Sequence, residues 1–151
     1  MADVGVSTLG VKLGYAVDID GTKPDSFKLL TRINSIGAIE LSTETIDASA
    51  LEDYVEKSVA GRQSSGGTWD VTINLTDDTQ KEWSDLISAA DGKSVWFEVT
   101  NPNLTDAFFV VAEVPKMLPL PSHDQNGLLT MTISLVINEY KGMDTKVEPI
   151  A

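Results

Sequence analysis

Residues 67–92 read GTWDVTINLTDDTQKEWSDLISAADG, and within them one periodicity gives way to another. Trp69, Val71, Ile73 and Leu75 alternate with Asp70, Thr72 and Asn74, the period of two that marks a half-buried strand. Thr76-Asp77-Asp78 then supplies side-chain oxygens for a helix start. Asp77 with Gln80 three residues on reads as a capping box, and the clustered acids suit the positive end of a helix dipole. Trp83, Leu86, Ile87 and Ala90 follow at helical spacing, and Gly92 falls where a left-handed C-cap belongs. A helix with one apolar stripe needs a sheet to cover it, and the rest of the chain is expected to supply that sheet.

On the N-terminal side, Val11–Ile19 alternates as a strand, turned by Asp20-Gly21-Thr22 and residues 23–26. Phe27–Ile33 reads as a second strand, and Ile36–Leu41 as a third after the Asn34-Ser35 interruption. On the C-terminal side, Ser94–Thr100 and Ala107–Val114 are strands separated by Asn101-Pro102-Asn103. Pro115, Pro119 and Pro121 keep Met117-Leu118-Leu120 extended, outside strand or helix. After the turn at 124–127 comes the longest strand, Leu128–Asn138. Trp83 belongs to the helix stripe and hence to the core. Trp96 alternates against Val95 and Phe97, so it is expected to face outward as a subunit contact or helix-packing site. Successive alternating strands with short turns predict a mainly β fold: an antiparallel sandwich or barrel with one flanking helix and a long inter-strand loop. Residues 1–151 form a single domain, with a polar or small-residue arm at each end, 1–10 and 139–151.

The stretch 42–66 breaks the strand rhythm. No base lies between Arg32 and Lys57, while Glu40, Glu44, Asp47, Glu52, Asp53 and Glu56 do. Leu51, Tyr54, Val55 and Val59 suit a short helix capped by Ser49 with Glu52 as its box partner. Residues 60–67 then form a flexible Gly/Ser run. Loops this long inside a compact domain usually carry function or are disordered.

Composition narrows the function. The 151 residues carry 23 acids against 11 bases, a net charge of −12, and the bases are scattered singly. A protein that grips nucleic acid clusters Lys and Arg on phosphates, so this balance argues against one, though not against a wall that repels DNA. With no cysteine and one histidine, neither disulfides nor a Cys/His metal centre is expected. No apolar run approaches the ~18 residues that span a bilayer. The start, Met1-Ala2-Asp3-Val4, lacks the basic and apolar regions of a secretory leader, so synthesis in the cytoplasm is expected.

Two stretches have the residue types of catalytic motifs. Val17-Asp18-Ile19-Asp20-Gly21-Thr22 resembles the nucleophile loop of haloacid-dehalogenase-type phosphatases. Asp18 would attack phosphorus, Asp20 would serve as general acid, and Mg²⁺ would be held with help from Asp77 and Asp78. That chemistry sits on a continuous apolar strand of a parallel sheet, whereas Leu13, Tyr15 and Val17 here alternate with Lys12 and Gly14. A hairpin turn is the better account. Ser122-His123-Asp124 has the residue types of a hydrolase triad, but three adjacent residues cannot relay a proton, and a turn is expected. No catalytic, cofactor or metal residue is therefore assigned.

The order of the pieces carries a resemblance. Ile36-Gly37-Ala38-Ile39-Glu40-Leu41 leads into Thr45-Ile46-Asp47-Ala48-Ser49-Ala50-Leu51-Glu52-Asp53-Tyr54. Gly61 and Gly66-Gly67-Thr68-Trp69-Asp70-Val71-Thr72-Ile73 follow, then Asp77-Asp78-Thr79-Gln80-Lys81-Glu82-Trp83, and Gly127 before a last strand. Over most of its length the chain resembles the major tail tube proteins of long-tailed, siphovirus-like bacteriophages. Tubes of contractile tails, tail-like bacteriocins and type VI secretion share the architecture. The resemblance implies a virion structural protein, assembled in the bacterial host cytoplasm, whose hexameric rings stack into a tube that conducts DNA without binding it specifically. Partners would be further copies and the tail-tip, tape-measure and terminator proteins, with no membrane. It also implies that the loop 42–66 folds on contact with a neighbour or the next ring, through Thr45, Asp47, Leu51, Glu52, Asp53, Tyr54, Val55, Val59 and Arg62. Basic partners for its acids are sought in Lys28, Arg32 and Arg62. The lumen would be lined by Asp70, Thr72 and Asn74, or by Thr130, Thr132 and Ser134.

Overall fold

A computed structural model describes residues 5–19, 21–64 and 66–150. The elements are β1 (Lys12–Val17), β2 (Lys28–Leu30), β3 (Ile33–Ile36), β4 (Ser42–Asp47), β5 (Ser58–Ser64), β6 (Thr68–Asn74), α1 (Asp77–Ala90), β7 (Val95–Thr100), β8 (Asp106–Glu113) and β9 (Thr130–Thr145). Seven strands form one antiparallel sheet in the order β2-β1-β7-β8-β9-β6-β3, and β4 and β5 pair only with each other.

Chain continuity shows that the sheet is rolled. β2 and β3 lie at its two opposite edges, yet only Thr31 and Arg32 join them. Three Cα steps from Leu30 to Ile33 reach at most about 11 Å, whereas seven flat strands would hold their edges roughly 29 Å apart. The linked ends of β2 and β3 must therefore lie close together, which rolls the sheet into the expected sandwich-to-barrel form, while the start of β2 keeps an outer edge on which Ile150 pairs. Arg32 takes a positive φ of 56° to make the reversal, and its carbonyl accepts from the Asn74 N–H at 2.9 Å.

The helix closes the roll. Trp83, Leu86 and Ala90 pack into one core with Leu13 and Leu30 from one edge, Val71 and Ile73 from the other, and Phe97, Ile133 and Leu135 between. Glu82 ties the helix to the seam, accepting from the Thr31 N–H at 3.1 Å and from its hydroxyl at 2.8 Å. The N-cap is Thr76, not Asp77. Its Oγ1 accepts from the Thr79 N–H and the Thr79 Oγ1 accepts from the Thr76 N–H, so Thr79 fills the place expected of Gln80. Asp77 and Asp78 occupy the first turn. At the other end Asp91 is the left-handed C-cap and Gly92 also has a positive φ.

Several boundaries differ from the sequence expectation. The strand expected at Phe27–Ile33 breaks at the Thr31–Arg32 reversal, and β3 occupies Ile33–Ile36 instead of Ile36–Leu41. Gly37 has left the strand because it approaches β6 too closely for a side chain: a Cβ there would stand 2.8 Å from the Asp70 carbonyl. Trp96 is buried rather than exposed. It packs with Phe27 and Phe109 in a second cluster, on the outer face of β7 and β8, so those strands are covered on both sides. The tract from Glu139 continues β9 along β8. Register shifts at Phe109/Val110 and Val111/Ala112, with Gly142 at positive φ, bend the strand from one partner to the other. At the N-terminus, the Ser7 carbonyl accepts from Asn101 Nδ2 at 3.0 Å, which ties part of the expected arm to the body; residues 1–4 lie outside the described residues.

Candidate assembly surface

The stretch 42–66 contains no helix among its described residues; it is a hairpin that stands off the body. Ile46 faces Val59 and Thr45 faces Ala60 across the pair, which uses the β-branched residues as strands use them. No residue of β4 is buried, and in β5 only Gly61 is as much as half-buried. Helical spacing of Leu51, Tyr54, Val55 and Val59 has no apolar surface to face. Ser49, expected as the cap of a helix, instead bridges the two arms: its Oγ accepts from the Lys57 N–H at 2.8 Å.

The hairpin tip is ordered by its own polar groups. The Asp53 carboxylate accepts from the Ala50 N–H at 2.7 Å and pairs with Lys57 Nζ at 3.4 Å. The Asp47 carboxylate accepts from the Ser49 N–H at 2.9 Å, which holds its pKa below the ordinary aspartate value. With the frame held this way, the apolar side chains are left outside. Leu51 and Tyr54 are fully exposed at 109% and 105%, and Val55 at 74%. None of these side chains belongs to either core cluster. Thr45, Asp47, Val59 and Arg62 lie along the two arms, and Glu52 is at the tip beside Leu51, all exposed. Lys28, Arg32 and Arg62 are exposed too, two at the sheet seam and one on the hairpin.

The two residue sets expected as alternative lumen faces form one surface. On the outer side of the roll Asp70 faces Ser134, Thr72 faces Thr132, and Asn74 faces Thr130. Ser134 Oγ donates to Asp70 Oδ1 at 2.6 Å, the two threonine hydroxyls are 2.9 Å apart, and Asn34 Nδ2 donates to Asn74 Oδ1 at 2.9 Å. The result is a side-chain ladder of hydroxyls and amides with one carboxylate and no base. Sequence spacing finds both rows and cannot pair them. Met117 and Leu120 of the extended proline-rich connector are exposed, as is Leu128, expected to open the last strand but lying before β9.

Asp18 behaves as a turn residue. Its Oδ1 accepts from the Gly21 N–H at 2.8 Å and from Trp96 Nε1–H at 3.4 Å, and Asp20 lies outside the described residues. The Asp18 N–H bonds the Ser94 carbonyl just past the C-terminal end of α1. Asp77 and Asp78 head that 14-residue helix, so a helix length of about 20 Å stands between them and the Asp18 end.

The described residues thus form a rolled antiparallel β domain with a helix over its seam and a projecting hairpin. Chains of this fold occur in solved structures of a tail, a tail tube and a virion. The tail of an empty gene transfer agent particle, determined with C6 helical symmetry, superposes with a TM-score of 0.61 at 14% identity, over 94% of this chain and 99% of that one. The SPP1 tail tube gives 0.58 at 17% identity, over 94% of this chain and 81% of the other. A chain of the native gene transfer agent virion gives 0.56 at 15%, over 89% and 95%. No protein-family model matches the chain, and no curated protein matches it in sequence.

Proposed function

We propose that this chain is the building block of a phage-type tail tube, six copies to a ring and rings stacked into a conduit for DNA. The observation that carries this is the end-to-end correspondence with a chain of a sixfold-symmetric tail, 94% of one and 99% of the other. The hairpin supports it, since a folded projection with exposed Leu51, Tyr54 and Val55 suits a contact with a neighbouring copy or the next ring. The Asp70/Ser134, Thr72/Thr132 and Asn74/Thr130 ladder suits the lumen. It offers a polyanion no fixed cation, and the net charge of −12 adds repulsion, so DNA slides without capture. The tube then functions in the virion tail after assembly in the host cytoplasm, meets tail-tip, tape-measure and terminator proteins at its ends, and performs no catalysis.

Negative-stain electron microscopy of the purified protein, with size-exclusion chromatography beside it, tests this. Rings or hollow tubes are the expected result. A Mg²⁺-dependent phosphatase turnover that disappears in Asp18→Asn would overturn it in favour of an enzyme.

A further inference from the structure

Residues 146–150 leave the end of β9 and run back over the outer face of the sheet to its β2 edge. Lys146 Nζ donates to the carbonyls of Asn101 and Leu104, at 3.0 and 2.8 Å. The Val147 N–H donates to Glu98 Oε2 at 2.7 Å, and the Val147 side chain packs on the Phe27–Trp96–Phe109 cluster. Pro149 sits where Gly14 lacks a side chain: a Cβ on Gly14 would stand 3.1 Å from the proline Cγ and 3.2 Å from its Cβ. Ile150 pairs in parallel with Lys28, its N–H donating to the Phe27 carbonyl and its carbonyl accepting from the Leu29 N–H, both at 2.8 Å.

The attachment is specific and local. It consists of five hydrogen bonds and two half-buried apolar side chains, Val147 and Pro149, at the end of the described chain; Ile150 is 63% exposed. Such segments open far more readily than the core beneath them. What lies underneath combines apolar surface with groups that need hydrogen-bond partners. It comprises the unpaired edge of β2, an aromatic cluster, a notch at Gly14, and the carboxylate of Glu98, whose Oε1 has no hydrogen-bond partner among the described residues. An exposed sheet edge with pockets for alternate side chains takes an extended strand. The one strand shown to fit this edge, with an N–H for Glu98 and a proline for the notch, is the segment itself.

We propose that residues 146–150 are a removable plug that masks the β2 edge in the free chain, and that on assembly the same groove takes the corresponding segment of a second copy. This rests on the tube reading, in which identical chains bring identical segments to identical edges at high effective concentration, the condition for segment exchange. The free subunit is thereby kept from edge-to-edge pairing until neighbours are present.

The cysteine-free sequence allows a direct test in the full chain. Lys28→Cys with Ile150→Cys places two thiols on bridge partners, within the span a disulfide accepts. Oxidised before assembly, the double variant is expected to stay single; the same variant, reduced, is expected to assemble, so that the two states of one protein are compared. In a mixture of the two single variants, a disulfide between the thiol introduced at position 28 and the thiol introduced at position 150 forms only between chains, and it is expected in the assembled fraction. Assembly of the locked form as readily as the reduced one overturns the plug and leaves the tube intact. Interchain cross-links in dimers, with no ring or tube from any form including the unmodified chain, uphold the exchange and overturn the tube.

Discussion

At the scale of the residue, Glu98 is the clearest departure from what a sheet prefers. It lies on β7 between Gly14 of β1 and Phe109 of β8, fully buried. Burial pushes its carboxyl above the ordinary glutamate pKa. The Val147 N–H, Lys23 and Lys146 pull it down, and Glu148 adds to the rise. A raised pKa means the folded chain holds this proton when the unfolded chain has released it. The contribution to stability is therefore largest below the unfolded pKa and is lost as pH rises through the folded one. Glu98→Gln removes that dependence. The stability of the native chain relative to the variant is expected to grow as pH falls from about 7 toward the glutamate range near 4.3. The exposed Asp47 and Asp144, whose pKa values are lowered, act in the opposite direction but equally in both chains. Thermal unfolding followed across pH checks this, and parallel curves for the two proteins would contradict it.

At the scale of the element, the helix start shows how a cap is built on a strand end. The fully buried Thr79 accepts from the Thr76 N–H at 2.8 Å and donates to the Asn74 carbonyl at 2.9 Å, so one hydroxyl joins the end of β6 to the first turn of α1. Thr79→Val keeps the volume and strands both backbone groups. A loss of about 1–3 kcal/mol is expected, a fall of several degrees in Tm for a domain of this size. Thr79→Ser retains the hydroxyl and is expected to lose less; equal losses would mean that the methyl group matters and the bridge does not. The helix and its neighbours are legible because Trp69, Val71 and Ile73, and then Trp83, Leu86 and Ala90, each face one core and so repeat with one period. Legibility fails where burial does not follow a single face. Trp96 reads as exposed in the sequence, yet β7 is covered on both sides. The cap shifts by one residue because Thr76 and Asp77 both carry a suitable oxygen and only geometry chooses between them. The hairpin is hidden because Leu51, Tyr54 and Val55 follow helical spacing on a segment with nothing to pack against. Closure of the roll, and the pairing of Asp70 with Ser134 and Thr72 with Thr132, depend on contacts between distant segments that local pattern does not encode.

At the scale of the whole molecule, the proposed tube would leave folding and assembly to separate parts of the chain. The core lies inside the roll and under the helix, while the hairpin contributes almost nothing to it. Ser42 and Ser64 are paired at the hairpin base, so Thr43–Gln63 can be replaced by a two-residue Asn-Gly turn without moving the strands that flank it. The shortened protein is expected to unfold within about 2 °C of the native chain, since only solvated surface is lost. It is expected to form neither rings nor tubes in negative stain, whereas tubes from it would remove the hairpin from the assembly surface. The remaining obstacle to assembly is the charge of −12 that each copy brings to its neighbours. Raising NaCl from about 0.1 M to about 1 M shortens the screening length from about 10 Å to about 3 Å. The native chain is therefore expected to assemble at lower protein concentration in high salt, with the critical concentration read by sedimentation. The shortened chain is expected to stay single in both, because screening removes repulsion and supplies no contact. If salt instead dissolves the native assembly, ion pairs hold the copies together, and the exposed Arg32 at the seam and Arg62 on the hairpin become the first side chains to change.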